Sequence, residues 1–153
     1  MAVRCSVLAL CVTAALSTVG CTEHLVGPAR TRDDFRRKAK TTAEHALSAV
    51  ETVRLVADTA ARGRSFGPYA SVSISEQEDA LNDVQGDFDS IQPPDDASDR
   101  LRAELDGLLS AAIDHIVDVR LAARRGVLGG LGDAAGALST DSRDLNTFLE
   151  TVS

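Results

Sequence analysis

Each of the three histidines directly follows a carboxylate, a pairing that binds metals and transfers protons in many proteins. Two of the pairs, Glu44–His45 and Asp114–His115, fall in stretches with helical periodicity. Neighbouring helical residues point about 100° apart, whereas di-metal bundles use a Glu-x-x-His spacing that directs both ligands inward. We therefore predict no metal site and no cofactor, and we expect both histidines to be buried and hydrogen-bonded.

Other arrangements that support catalysis are missing from the sequence. Serine, histidine and aspartate occur without a GxSxG elbow, and no cysteine follows Cys21. The acid-rich stretch DVQGDFDSIQPPDDASD lacks the ligand spacing of an EF-hand loop, and GVLGGLGD lacks the lysine of a phosphate-binding loop. We therefore predict that the protein is not an enzyme.

The first 20 residues differ from the rest of the chain. Arg4 is their only charged residue, and the uncharged stretch 5–20 is shorter than the roughly 20 apolar residues of a spanning helix. A basic start, a short apolar stretch and small residues before a cleavage point are typical of an export signal. Two alternatives stay open, an uncleaved membrane anchor and a conventional leader cleaved after Ala14 or Ala15.

The residues Thr18-Val19-Gly20-Cys21 resemble the lipobox of bacterial lipoproteins, although the family usually has leucine where this chain has Thr18. The resemblance implies that residues 1–20 are a signal peptide and that cleavage falls between Gly20 and Cys21. It also implies that Cys21 carries the lipid, including acyl groups such as palmitate. The mature protein would then be held in membrane lipid on the outer side of the cytoplasmic membrane.

The composition after Cys21 carries a second resemblance. The chain is rich in alanine and arginine and has only two lysines, Lys38 and Lys40. In this it resembles the small helical lipoproteins of high-GC Gram-positive bacteria, which often have no known activity. In a Gram-negative host, the residue after the cysteine, Thr22, would not resemble the usual inner-membrane retention signal.

Apolar side chains recur at alternating spacings of four and three residues in four stretches, a pattern that places each set on one face of an α-helix. The first set is Ala39, Ala43, Ala46, Val50, Val53, Ala57 and Ala60, and the second is Ile74, Gln77, Leu81, Val84, Phe88 and Ile91. The third set is Leu101, Leu105, Leu108, Ala112, His115, Val119 and Ala122, widened by Leu109, Ile113 and Ile116. The fourth set is Leu131, Ala135, Leu138, Ser142, Leu145, Leu149 and Val152.

Helix start and stop signals separate these stretches. Thr31 with Asp34 three residues later indicates a capping box, glycine and proline interrupt the chain at 63–68, Pro93-Pro94 ends the second stretch, and glycines fill 126–132. Short connections favour antiparallel neighbours. We therefore predict an all-α, up-down-up-down four-helix bundle over residues 31–153, preceded by a lipidated tether at 21–30.

In this topology the loops at 62–72 and 126–132 meet at the end of the bundle farthest from the tether. Arginine and aromatic residues together are typical of protein-binding surfaces. The candidate partner surface consists of Arg62, Arg64, Phe66, Tyr69, Arg124 and Arg125. The alternatives are that the arginines complement helix C-termini and that Phe66 closes the core.

At the opposite end, Arg36, Arg37, Lys38 and Lys40 begin the first stretch. We expect these cations to pair within the bundle, with Asp87, Asp89, Asp95 and Asp96. The alternative is contact with anionic lipid headgroups beside the anchor. The net charge of −7 and the absence of a basic strip rich in aromatic residues argue against binding to nucleic acid.

Two classes of function remain. The first is a membrane-anchored, non-enzymatic interaction module that presents a helical surface to another envelope protein. The second is an extracytoplasmic sensory bundle that binds a small ligand or metal between its helices, with His115 as the polar contact.

Overall fold

The computed structural model describes residues 27–153. Its helices are α1 (Arg32–Ala61), α2 (Gly67–Asp89), α3 (Asp96–Arg124), α4 (Leu131–Ala134) and α5 (Leu138–Val152), with a 3₁₀ turn at Leu128–Gly130. The predicted signal peptide, the Gly20–Cys21 cleavage point and the lipidation site lie outside the described residues.

The four long helices, α1, α2, α3 and α5, run alternately up and down, and α1 packs against the other three. Residues 27–153 contain no β-strand. The predicted all-α four-helix bundle is therefore confirmed. We call the end where α1 and α3 begin the proximal end, and the end where they finish the distal end.

Side-chain caps open two of the helices at the proximal end. Thr31 Oγ1 accepts a hydrogen bond from the Asp34 backbone N–H at 3.1 Å, as the capping pattern predicts. Asp95 accepts hydrogen bonds from both the backbone N–H and the hydroxyl of Ser98, at 2.9 and 3.0 Å. These contacts satisfy backbone donors that a helix N-terminus would otherwise leave without partners.

At the distal end, α1 and α3 finish in the same way. Gly63 and Gly126 have φ values of 69° and 73°, a left-handed conformation that favours glycine. The N–H of each glycine bonds the carbonyl three residues earlier, and the next N–H bonds the carbonyl five residues earlier. Both helices therefore end in Schellman motifs, which fix the direction in which the chain leaves them.

The core is built differently on α1 and on α3. All seven predicted positions on α1 are buried, and five of them are alanines, which let the neighbouring helices approach closely. Leucine and isoleucine on α3 fill the space around them, while the Phe35 and Phe88 rings meet at 5.4 Å near the proximal end. The sequence periodicity did not identify Phe35, which precedes the alanine pattern.

The buried face of α3 differs from the predicted one. Leu109, Ile116 and Ala123 are fully or nearly fully buried, whereas Leu108, His115 and Ala122 are only half-buried. The prediction is therefore confirmed at Leu105, Ala112 and Val119 and at the added Leu109 and Ile116, and it is wrong in placing Leu108, His115 and Ala122 at the centre of the face. Apolar residues occupy two neighbouring faces of this helix. Packing against α1, α2 and α5 determines which of the two faces is buried.

The fourth stretch is also interrupted, because α4 ends at Ala134 and α5 begins at Leu138. The Gly136 N–H bonds the Asp133 carbonyl at 3.0 Å, and a Cβ at position 136 would lie 3.0 Å from that oxygen. Within α5, Phe148 is fully buried and the predicted Leu149 is half-buried. The sequence does not show which of these two adjacent apolar residues is buried.

None of the helices in the described range 27–153 combines the length and the apolar character that crossing a membrane requires.

Candidate interaction surface

The distal end brings together the start of α2 and the end of α3. Gln85 Nε2 donates to Ser110 Oγ at 3.2 Å, and Arg120 pairs with Glu78, so the two helices are antiparallel in this register. Near the connecting loops, a Cβ on Gly67 would touch the Leu128 side chain at 3.6 Å. The first two turns of α2 therefore lie beside the last two turns of α3.

Large apolar side chains are exposed on both of these segments. Phe66 is 84% exposed and Tyr69 is 64% exposed. Sequence analysis predicted both as surface residues but did not identify Val72 and Val127, which are 57% and 53% exposed, or Leu121 at 37%. The alternative that Phe66 closes the core is wrong, because Leu131 and Ala135 are buried there instead.

The arginines at this end fall into two groups. Arg62 is the C-cap residue of α1 and forms an ion pair with Asp58. The side chains of Arg64, Arg124 and Arg125 are exposed and form no ion pair with any residue in the range 27–153. Arg124 and Arg125 also occupy the C-terminus of α3, where cations interact favourably with the helix dipole.

We define the distal surface as Arg64, Phe66, Tyr69, Val72, Leu121, Arg124, Arg125 and Val127. Segments 61–73 and 120–132, which carry it, contain five arginines and no acidic residue. Below it, α2 has six acidic residues and no basic one. The charge along this side of the bundle therefore changes from positive at the end to negative on the flank.

The backbone under the distal surface is held in place. The Schellman motifs fix the exits from α1 and α3, and Gly130 N–H bonds the Val127 carbonyl at 3.1 Å in the 3₁₀ turn. Leu131 is fully buried directly after this turn. The exposed side chains are thus mounted on backbone that is hydrogen-bonded and anchored in the core.

Three arginines at the proximal end bond to other residues of the protein. Arg32 forms an ion pair with Asp95 at 2.8 Å, Arg36 donates to the Thr151 carbonyl at 2.8 Å, and Arg37 pairs with Asp34. Asp95 was predicted to pair with the set Arg36, Arg37, Lys38 and Lys40, but it pairs with Arg32, which lies outside that set. Neither Thr151 nor Asp34 was predicted as a partner. The Ser98 backbone N–H and then Arg32 lower the pKa of Asp95 to about 2.

The two helical histidines are placed differently from each other. His115 Nδ1 lies 2.7 Å from Asp141 Oδ2, so the half-buried imidazole is hydrogen-bonded to a nearly buried carboxylate on α5. His45 is exposed, and the prediction that it is buried was wrong because it lies outside the alanine face of α1. Within residues 27–153, no three His, Cys, Asp or Glu side chains are grouped as a metal site requires.

Two surface depressions are large enough to be candidate ligand sites. One, of about 360 Å³, lies at the proximal end between α1, α3 and α5, and its lining includes Arg32, Arg36, Leu101 and Val152. Another, of about 410 Å³, lies beside the exposed Leu55, between α1 and the α4–α5 turn. The two arginines that line the first depression are already bonded to Asp95 and Thr151.

Comparison of the chain with known protein families, with curated proteins and with solved structures finds no match.

Proposed function

We propose that this protein is a non-enzymatic interaction module, anchored by lipid at Cys21 on the outer side of the cytoplasmic membrane. It would present the distal surface to another protein of the cell envelope. The observation that carries the interaction role is the group of exposed apolar side chains beside three arginines that form no ion pair within residues 27–153.

The composition of the distal surface supports this role. Aromatic residues and arginine are enriched at protein interfaces, where they supply much of the binding energy. Phe66 and Tyr69 provide the aromatic area, and Val72 and Val127 extend it. Clustered apolar side chains rimmed by polar residues are typical of interaction sites, whereas single exposed ones are common on any protein.

The direction of α1 suits an anchored module. Its 30 residues span about 45 Å from the proximal to the distal end. A lipid anchor at Cys21 would join the chain near the proximal end, because the lipobox lies shortly before α1. The distal surface would then be carried away from the membrane, where a partner could reach it.

The small-ligand alternative is less well supported. His115 was its proposed polar contact, and this imidazole is bonded to Asp141 inside the bundle. Both depressions described above lie at the surface, and neither is lined by His115.

The first test is the intact mass of the protein extracted from the membranes of its own host. We expect a chain that starts at an acylated Cys21, and we expect Cys21→Ser to remain unprocessed and without lipid. A mature wild-type chain that still begins at Met1, or that begins elsewhere without lipid, would contradict the anchor.

The second test is photo-crosslinking in the same cells, with the crosslinker at Val72. The matched control carries it at Thr147, which is exposed on α5. We expect one recurrent protein adduct from position 72 and none from position 147. Equal adducts from both positions, or none from either, would rule out the distal surface as the interaction site.

A further inference from the structure

The charges around the distal surface specify the kind of partner, given the interaction role proposed above. We propose that the partner is a protein with an apolar strip that has acidic residues at one end and basic residues at the other. The acidic end would lie over the arginines of the distal surface, and the basic end over the acidic flank of the bundle.

The arginines of the distal surface indicate the charge of the partner segment that would lie over them. Arg64, Arg124 and Arg125 have no carboxylate partner in the described part of the chain, although 27–153 carries more acidic than basic residues. Arg62 and Arg120, in the same two segments, do have such partners in Asp58 and Glu78. The distal surface therefore keeps three cations available, and a guanidinium binds a carboxylate with two parallel hydrogen bonds.

The flank below the arginines carries exposed carboxylates. Glu76 lies one helical turn below Val72 on α2, and Asp118 lies one turn below Leu121 on α3. All four residues are exposed on adjacent antiparallel helices. The apolar part of the surface is thus bordered by cations on one side and by carboxylates on the other.

The acidic flank distinguishes a protein partner from a membrane surface. An anionic membrane would be attracted by the arginines and could accept Phe66 and Tyr69. The apolar residues nevertheless continue down the flank to Val72 and Leu121, where Glu76 and Asp118 would repel anionic headgroups. A protein can match both charges along one strip, and such complementarity selects among partners.

A second copy of the chain on the same membrane fits less well. Two copies anchored in one membrane point the same way, so a two-fold axis between them runs along the bundle and brings the same three arginines of each copy close together. These cations would then face one another without carboxylates between them, because segments 61–73 and 120–132 have none. An antiparallel copy would place the arginines over the acidic flank, but its proximal end would point away from that membrane.

The test measures the yield of the crosslinked adduct in host cells, with the photo-crosslinker at Tyr69 in the full chain. The charge-reversal variant is Arg124→Glu/Arg125→Glu, and its matched control, Arg124→Lys/Arg125→Lys, keeps the charge. Arg64→Glu is a second variant outside any helix, in case reversal at the end of α3 weakens folding. Glu76→Lys/Asp79→Lys reverses the charge of the flank on α2, where Asp79 is a second exposed carboxylate three residues after Glu76.

We expect Arg124→Glu/Arg125→Glu to lower the adduct yield at least tenfold, and Arg64→Glu and Glu76→Lys/Asp79→Lys to lower it several-fold. The lysine control should change it less than twofold. Circular dichroism and thermal melting identify any variant that fails to fold. Mass spectrometry of the adduct should find acidic residues in the partner peptide joined at position 69.

Other results would overturn the proposed partner. A lipid adduct would identify a membrane, and an adduct with the same chain would identify self-association. A protein adduct whose yield is unchanged by both Arg64→Glu and Arg124→Glu/Arg125→Glu would contradict the charge assignment while leaving the interaction role intact. No adduct from the wild-type chain would contradict the interaction role itself.

Discussion

Asp95 joins the starts of two helices, α1 and α3, through one carboxylate. It caps α3 by accepting from Ser98, and it forms an ion pair with Arg32 at the start of α1. Both contacts favour the ionised form, which is why the pKa falls to about 2. The stabilisation from this lowered pKa is present above the ordinary value of 3.8 and is lost as the pH falls towards 2.

The substitution Asp95→Asn tests this charge, because asparagine can still cap the helix. We expect the variant to be less stable than wild type at pH 7, with a difference that shrinks as the pH is lowered towards 2. Urea unfolding at several pH values measures it. Asp96→Asn, which changes the neighbouring carboxylate in the first turn of α3 and leaves the Asp95 cap in place, is the control. An equal effect of both substitutions would contradict the specific role of Asp95.

Individual residues were predictable where the contact is local in sequence. The Thr31 cap joins residues three positions apart, and the acidic start of α3 likewise indicated where that helix begins. The hydrogen bond between His115 and Asp141 joins α3 to α5, and its residues lie 26 positions apart. No spacing rule in one sequence reports such a contact. The exposed position of His45, by contrast, follows from its place outside the alanine face of α1.

At the scale of the helices, the two Schellman glycines give a matched experiment. Gly63→Ala and Gly126→Ala place a Cβ on left-handed backbone, and each should cost about 1 kcal/mol of folding free energy. Gly107→Ala, in the interior of α3 with open space around it, should instead stabilise the protein by about 0.5–1 kcal/mol. Urea unfolding of the three variants compares them, and a common sign would contradict this assignment.

The number and order of the long helices could be predicted because periodicity and helix boundaries agreed. The break at Gly136 could not be predicted, since the apolar spacing continues unchanged from Leu131 to Leu138.

The distal surface was predicted in part. Its arginines and aromatic residues stood out by type, whereas Val72, Leu121 and Val127 look like ordinary core residues until their side of the helix is known.

At the scale of the whole molecule, the orientation of α3 decides which side chains form the core. Leu109 is fully buried and Leu108, its neighbour, is half-buried. Leu109→Ala should therefore destabilise the fold by about 2–5 kcal/mol, the range for buried leucines. Leu108→Ala should cost clearly less. Chemical unfolding compares the pair directly, and a larger loss at Leu108 would restore the orientation predicted from sequence.

The two ends of the folded unit lie side by side, as the bond from Arg36 in the second turn of α1 to the Thr151 carbonyl in the last turn of α5 indicates. Adjacent ends make a domain suitable for circular permutation. A short glycine linker from α5 to α1, with new ends opened at Gly129 in the exposed distal loop, would keep every long helix intact. A permutant attached to a membrane or a solid surface through its new N-terminus would have the opposite orientation. Its distal surface would face the support, and the arginines of the proximal end would face away from it.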